Sequence, residues 1–182
     1  MAVADDVARI AAAAAAFAAL GEELAGVLAA ETLGRRVYLC AFASADGSAW
    51  LALDDDGAPL TDRRLLREAV SIAALCEVAE ESAGGGDLPE LRARLAELRT
   101  TESPAGIEDA EGAAAALAGI LHPGPRLASA AYLDAVGAAC RRLELALAES
   151  GASPFAATMQ GAVPTVEALT EEVERSYKLP LE

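Results

Sequence analysis

The sequence predicts a mainly α protein, a bundle of about six helices with one β-hairpin inserted after the first, in the order α-β-β-α-α-α-α-α. Three observations carry this. Val3, Val7, Ile10, Ala14, Phe17, Gly21, Leu24 and Leu28 recur at alternating spacings of four and three, the stripe of a helix that faces one partner. Asp46-Gly47 stands between two short runs that hold Val37, Tyr38, Phe42 and Trp50, a tight-turn signal between strands. From Thr61 onward apolar residues return at helical spacing, punctuated by glycine and proline clusters.

The opening helix is expected to run to Leu33-Gly34, where glycine adopts the left-handed conformation that closes helices. The hairpin follows at about 36–54, and a brief extended piece is expected around Ala58 to Leu60, after the Asp55-Asp56-Gly57 turn. Thr61 or Asp62 caps the next helix, which buries Leu65, Ala69, Ile72, Cys76 and Ala79 and stops at a glycine linker near 83–86. Asp87 with Glu90 forms a reciprocal cap, and Leu88, Leu91, Leu95 and Leu98 follow at helical spacing. Ile107, Ala110, Ala114, Leu117 and Leu121 outline an alanine-rich helix that ends in a Pro/Gly break at 122–127.

A long helix from Ala128 to Ser150 carries Leu133, Val136, Cys140, Leu143 and Leu147 on one stripe, and the opening helix is its expected partner. Ser153-Pro154 begins a short turn through Gln160. Pro164 suits the first turn of a last helix with Val166, Leu169, Val173 and Tyr177 on its apolar side, closed by Pro180. Leu181-Glu182 has the look of a cloning remnant.

A chain of 182 residues is expected to form a single domain over 1–182 with a self-sufficient core. Its net charge of -15 and pI near 4.4 repel phosphate backbones and anionic membranes, so nucleic acid and membrane surfaces are excluded as partners. The apolar run Ile10 to Leu20 is too short to span a bilayer, and Asp5 and Asp6 stand where a signal peptide needs positive charge. Cys40, Cys76 and Cys140 are odd in number and widely separated, which fits reduced core thiols and a cytoplasmic protein.

Chemistry is sparse. His122, the only histidine, sits at an expected helix end, where it serves the last free carbonyls, and no nucleophile lies at a recognisable spacing. Three cysteines and one histidine come from four different elements, without the short-loop pair of a zinc site. Aligning Asp54-Asp55-Asp56-Gly57 on a calcium loop puts Ala52 and Arg63 at ligand positions, which excludes it. No cofactor, metal or catalytic residue is assigned. The candidate contacts are Tyr38 and Trp50 on the hairpin, as aromatic anchors, and Arg63, Arg64 and Arg67, the only basic cluster. These arginines either bind an anionic group or neutralise the nearby Asp54 to Asp56 run.

The expectation is therefore a non-catalytic, homodimeric protein that binds a protein partner through its hairpin and an alanine-rich groove. In size and charge it is similar to small acidic adaptors and secretion-type chaperones, a likeness that no family motif accompanies. The alternatives are a small-molecule module with an apolar cavity between helices, and an enzyme whose Arg and Asp/Glu groups meet only in three dimensions.

Overall fold

A computed structural model describes residues 2–84, 87–101, 106–121, 124–151 and 162–182. The elements are α1 (Ala2–Ala15), β1 (Glu23–Thr32), β2 (Arg35–Ser44), β3 (Gly47–Leu53), α2 (Arg63–Gly84), α3 (Asp87–Thr101), α4 (Ile107–Ile120), β4 (Leu127–Ala128), α5 (Ala130–Ser150) and α6 (Ala162–Arg175). They form two compact units. A sheet unit is drawn from residues 1–76, 124–130 and 161–182, and a helical unit from 77–123 and 131–160.

The expected helical bundle with one hairpin is overturned by the sheet. Its strands are mixed and lie in the order β3-β2-β1-β4, so the expected hairpin is only its β2-β3 part. The error lies in residues 16–32. The opening helix stops at Ala15, tightens through short bonds such as Phe17 N–H to the Ala14 carbonyl (2.9 Å), and turns at Gly21, whose φ of 84° no helix contains. Residues 23–32 then pair antiparallel with β2. The register slips between Leu24 and Gly26, leaving Ala25 as a bulge. Because of that extra residue, Leu24 and Val27 fall on the same face of the sheet, a spacing of three that imitates a helix.

Leu33-Gly34 closes the β1-β2 hairpin instead of ending a helix. Thr32 pairs with Arg35, and both turn residues have positive φ, 50° at Leu33 and 71° at Gly34, as a two-residue turn of this twist demands. Leucine is a poor occupant of that conformation, and Leu33 is 57% exposed. The β2-β3 turn falls at Ala45-Asp46, one residue before the expected Asp46-Gly47, with Ser44 pairing Gly47 and the Ser44 hydroxyl accepting from the Asp46 amide (3.2 Å). The short extended piece appears as a bridge between Leu53 and Pro59.

The seam of α1 packs on the sheet and not on α5. Ile10 and Ala14 are fully buried in one cluster with Ala29, Tyr38, Cys40, Phe42, Leu51 and Leu53, and Val3, Val7 and Phe17 flank it. Small side chains on α1 allow this close approach to the strands. On the opposite face Ala30, Val37, Leu39 and Ala52 are also buried, and α2 turns Leu65, Leu66, Ala69, Val70 and Ala73 inward. Asp62 caps α2 by accepting from the Leu65 amide (3.1 Å).

The chain after α6 seals β3. The Trp50 amide donates to the Ser176 carbonyl (3.0 Å) and the Lys178 amide to the Trp50 carbonyl (2.9 Å). The Tyr177 hydroxyl accepts from the Ala52 amide (3.0 Å) and donates to the Leu60 carbonyl (2.6 Å). Leu181-Glu182 belongs to this arrangement, since the Glu182 amide donates to the Thr61 carbonyl (2.9 Å).

In the helical unit Leu88, Leu91 and Leu95 of α3 meet Ala110, Ala114 and Leu117 of α4 and Val136, Cys140, Leu143 and Leu147 of α5 in one cluster. These are the stripes expected from the sequence. Gly106 precedes α4 at φ 91°, where an added Cβ would lie 3.1 Å from the Ser150 nitrogen. The glycine linker at 85–86, the Asp87 side chain, His122 and the expected turn from Ser153 to Gln160 lie outside the described residues.

Two substitutions test this packing by urea denaturation. Ile10→Ala, which empties the centre of the α1 contact, is expected to lower unfolding free energy by about 2–5 kcal/mol. Leu33→Asn is expected to raise it by about 0.5–1 kcal/mol, because asparagine tolerates the left-handed conformation.

Candidate interaction surfaces

The two aromatic residues expected to anchor a partner point to opposite faces of the sheet. Tyr38 pairs with Leu53, and Trp50 pairs with Ala41, three residues further along β2. Tyr38 is fully buried among the residues under α1, so it is core and offers no contact. Trp50 is half-buried on the other face, and its indole Nε1 is buried without a hydrogen-bond acceptor. The arginine cluster at the start of α2 does not neutralise the Asp54 to Asp56 run. Arg67 Nε stands 3.1 Å and Arg63 4.0 Å from Glu174 of α6, while Arg64 is exposed. Asp54 is occupied by its own turn, accepting from the Asp56 and Ala58 amides.

Ionisable side chains do converge in the sheet unit. Arg36 stands 3.1 Å from Asp6, Arg9 donates to the Asp55 carbonyl (2.7 Å) and lies 3.4 Å from Asp6, and the Tyr38 hydroxyl donates to the Asp55 carboxylate (3.2 Å). Burial pushes the Tyr38 phenol above its ordinary pKa. The Asp6 carboxylate serves both cations and the Asp55 carboxylate serves the phenol, and the set clips α1 and the 54–57 turn to β2. The cysteines are free and buried, with Cys40 pushed up to about 12 by desolvation, so its thiol is inert at neutral pH. Among the described residues no group of His, Cys, Asp and Glu is placed to hold a metal ion.

Two further surface features stand out among the described residues. The first is the outer edge of β1. β4 pairs with β1 only at Ala29 and Ala30, so residues 23–28 have no strand neighbour on that side among the described residues. Glu23, Ala25 and Gly26 are exposed, and Leu24, Val27 and Leu28 are half-buried. An unpaired row of amides and carbonyls is a template for another strand. Where β1 begins and β2 ends lies a recess of about 520 Å³ lined by Gly21, Glu22, Glu23, Ala43, Ser44 and Ala45. Within the recess Glu22 accepts from the Ala19 amide (2.7 Å) and pairs with Lys178, whose ammonium sits 4.5 Å from the centre of the Phe42 ring. That pairing holds the Glu22 carboxyl below its ordinary pKa.

The second surface is a groove of about 770 Å³ between α3 and α4, floored by Leu95 and the small residues Ala93, Ala96, Gly112 and Ala115. Its rim carries Arg92 and Arg99 from α3 and Glu108 and Glu111 from α4. Four charged side chains distinguish it from the apolar cavity that a small hydrophobic ligand requires.

Sequence reasoning missed the β1 edge because it placed β1 inside a helix. The available signal was Gly21-Glu22-Glu23, a break in the middle of the supposed seam. No family model, no curated protein and no solved structure matches the chain.

Glu22 gives a pH-dependent test. Its folded pKa lies below the ordinary 4.5, so its stabilisation is present above that value and disappears as pH falls through the folded pKa. Glu22→Gln is expected to lower the urea midpoint at pH 7 and to flatten its fall under acid, the two proteins converging at the lowest pH.

Proposed function

We propose that this is a non-catalytic protein that self-associates and binds a protein partner, in the manner of an adaptor or chaperone. The partner adds an extended segment along residues 23–28 of β1. The open half-edge of β1 is the observation that carries this reading. Main-chain hydrogen bonds supply affinity in such strand addition, and half-buried Leu24, Val27 and Leu28 supply side-chain contact. Exposed Glu23 at the start of β1 favours a segment with basic residues, as does the net charge of -15.

The convergent Arg/Asp set under α1 supports a structural clip over a catalytic centre, because its members already satisfy one another and its phenol is fully buried. A cytoplasmic location is supported by three free thiols buried in the fold. Among the described residues no helix is long and apolar enough to cross a membrane.

Gly26 provides the test. It is exposed, and a Cβ there would meet nothing within 4 Å, so Gly26→Lys places a charge beside the edge without disturbing the fold. Affinity purification from the native host is expected to retain a protein on the wild type that Gly26→Lys loses. Adding that protein is expected to slow hydrogen exchange at residues 23–28. A co-purifying protein retained by the variant, with exchange at β1 unchanged, would overturn the assignment. Self-association is read separately, as a light-scattering mass of twice the 18.5 kDa chain.

A further inference from the structure

We infer that the groove between α3 and α4 is where two copies of this chain meet about a two-fold axis. This rests on the self-association proposed above and gives it a surface.

The charges along the groove are unevenly placed. At one end Arg99 is balanced within its own chain, 3.1 Å from Glu111 and 3.9 Å from Glu108. Arg92 lies seven residues back along α3, about 10 Å away at the rise of an α-helix. The two helices run in opposite directions, since the end of α3 meets the start of α4. Moving back to Arg92 therefore moves forward on α4 to residues 115–118, which are Ala-Ala-Leu-Ala. Arg92 is exposed and meets no carboxylate at its level on α4, while Glu108, at the other end, is 87% exposed. A two-fold axis across the middle of the groove exchanges its ends. It brings Glu108 of each copy to Arg92 of the other, so one self-complementary pair is made twice.

The floor suits a close approach. Gly112 and Gly119 lie on the exposed side of α4, and a Cβ at either would meet nothing within 4 Å. Neither crowding nor backbone conformation inside the chain calls for glycine there, although glycine weakens a helix interior. A helix pressed against this face accounts for both.

Sedimentation velocity on the full chain tests the inference. Wild type is expected to be a dimer, with Arg92→Glu and Glu108→Arg each raising the dissociation constant at least tenfold. Mixing the two variants in equal amounts is expected to restore the dimer, because a heterodimer has opposite charges at both contacts. Gly112→Leu, which fills the groove, is expected to abolish the dimer while leaving the helical circular dichroism intact. A dimer indifferent to all three substitutions would overturn the groove and leave self-association standing. A wild type that stays monomeric at every concentration would overturn both.

Discussion

Burial of one sheet face beneath α1 is the constraint on which the sheet unit depends. Ile10 and Ala14 are fully covered against the Tyr38, Cys40 and Phe42 side of β2, and β2 is the strand that both of its neighbours need. Alternation along β2 then commits Val37 and Leu39 to the opposite face, which must be covered in turn. The polar clip of Arg36, Asp6, Arg9 and Asp55 closes over one end of the same contact. Its hydrogen bonds fix where α1 sits, while the apolar area supplies most of the free energy.

The two long edges of this sheet are treated differently. β3 is closed by Ser176, Lys178 and Tyr177 on one stretch and by the Ala58 to Leu60 piece on the other. β1 receives β4 over two residue pairs and is open before them. An open edge is usually blunted, and here the bulge at Ala25 and the carboxylate of Glu23 do some of that work. A bulge twists the edge away from accidental pairing and a carboxylate repels acidic strands.

Much of the fold was legible because its stripes follow simple periods. The β2-β3 hairpin, the cap of α2 and the cores of α3, α4 and α5 all appear at the residues their spacing indicates. β1 was hidden by two coincidences: alanine is compatible with a packed helix as well as a strand, and the bulge gives Leu24 and Val27 a helical spacing. β4 has two residues, too few to carry a pattern. Of the candidate contacts, the separation of Tyr38 from Trp50 follows from counting out the hairpin register from its turn. The pairing of Arg67 with Glu174 does not, because it joins residues more than a hundred apart in sequence. Asp54 is nearer in sequence, but its carboxylate is taken by the Asp56 and Ala58 amides of its own turn.

The sheet unit is discontinuous in sequence, and that has a consequence for biosynthesis. Its strands leave the ribosome early, but Ser176 and Lys178, which bond to Trp50 of β3, follow that strand by more than a hundred residues. Until then the nascent protein carries a sheet whose β3 edge is covered only along the stretch that meets Ala58 to Leu60, a state prone to sticking to its neighbours. The helical unit, made in the interval from residues 77–123 and 131–160, relies on contacts nearer in sequence and is suited to condense sooner. Arrival of residues 176–178 is thus a separate maturation step, which completes the cover of the β3 border.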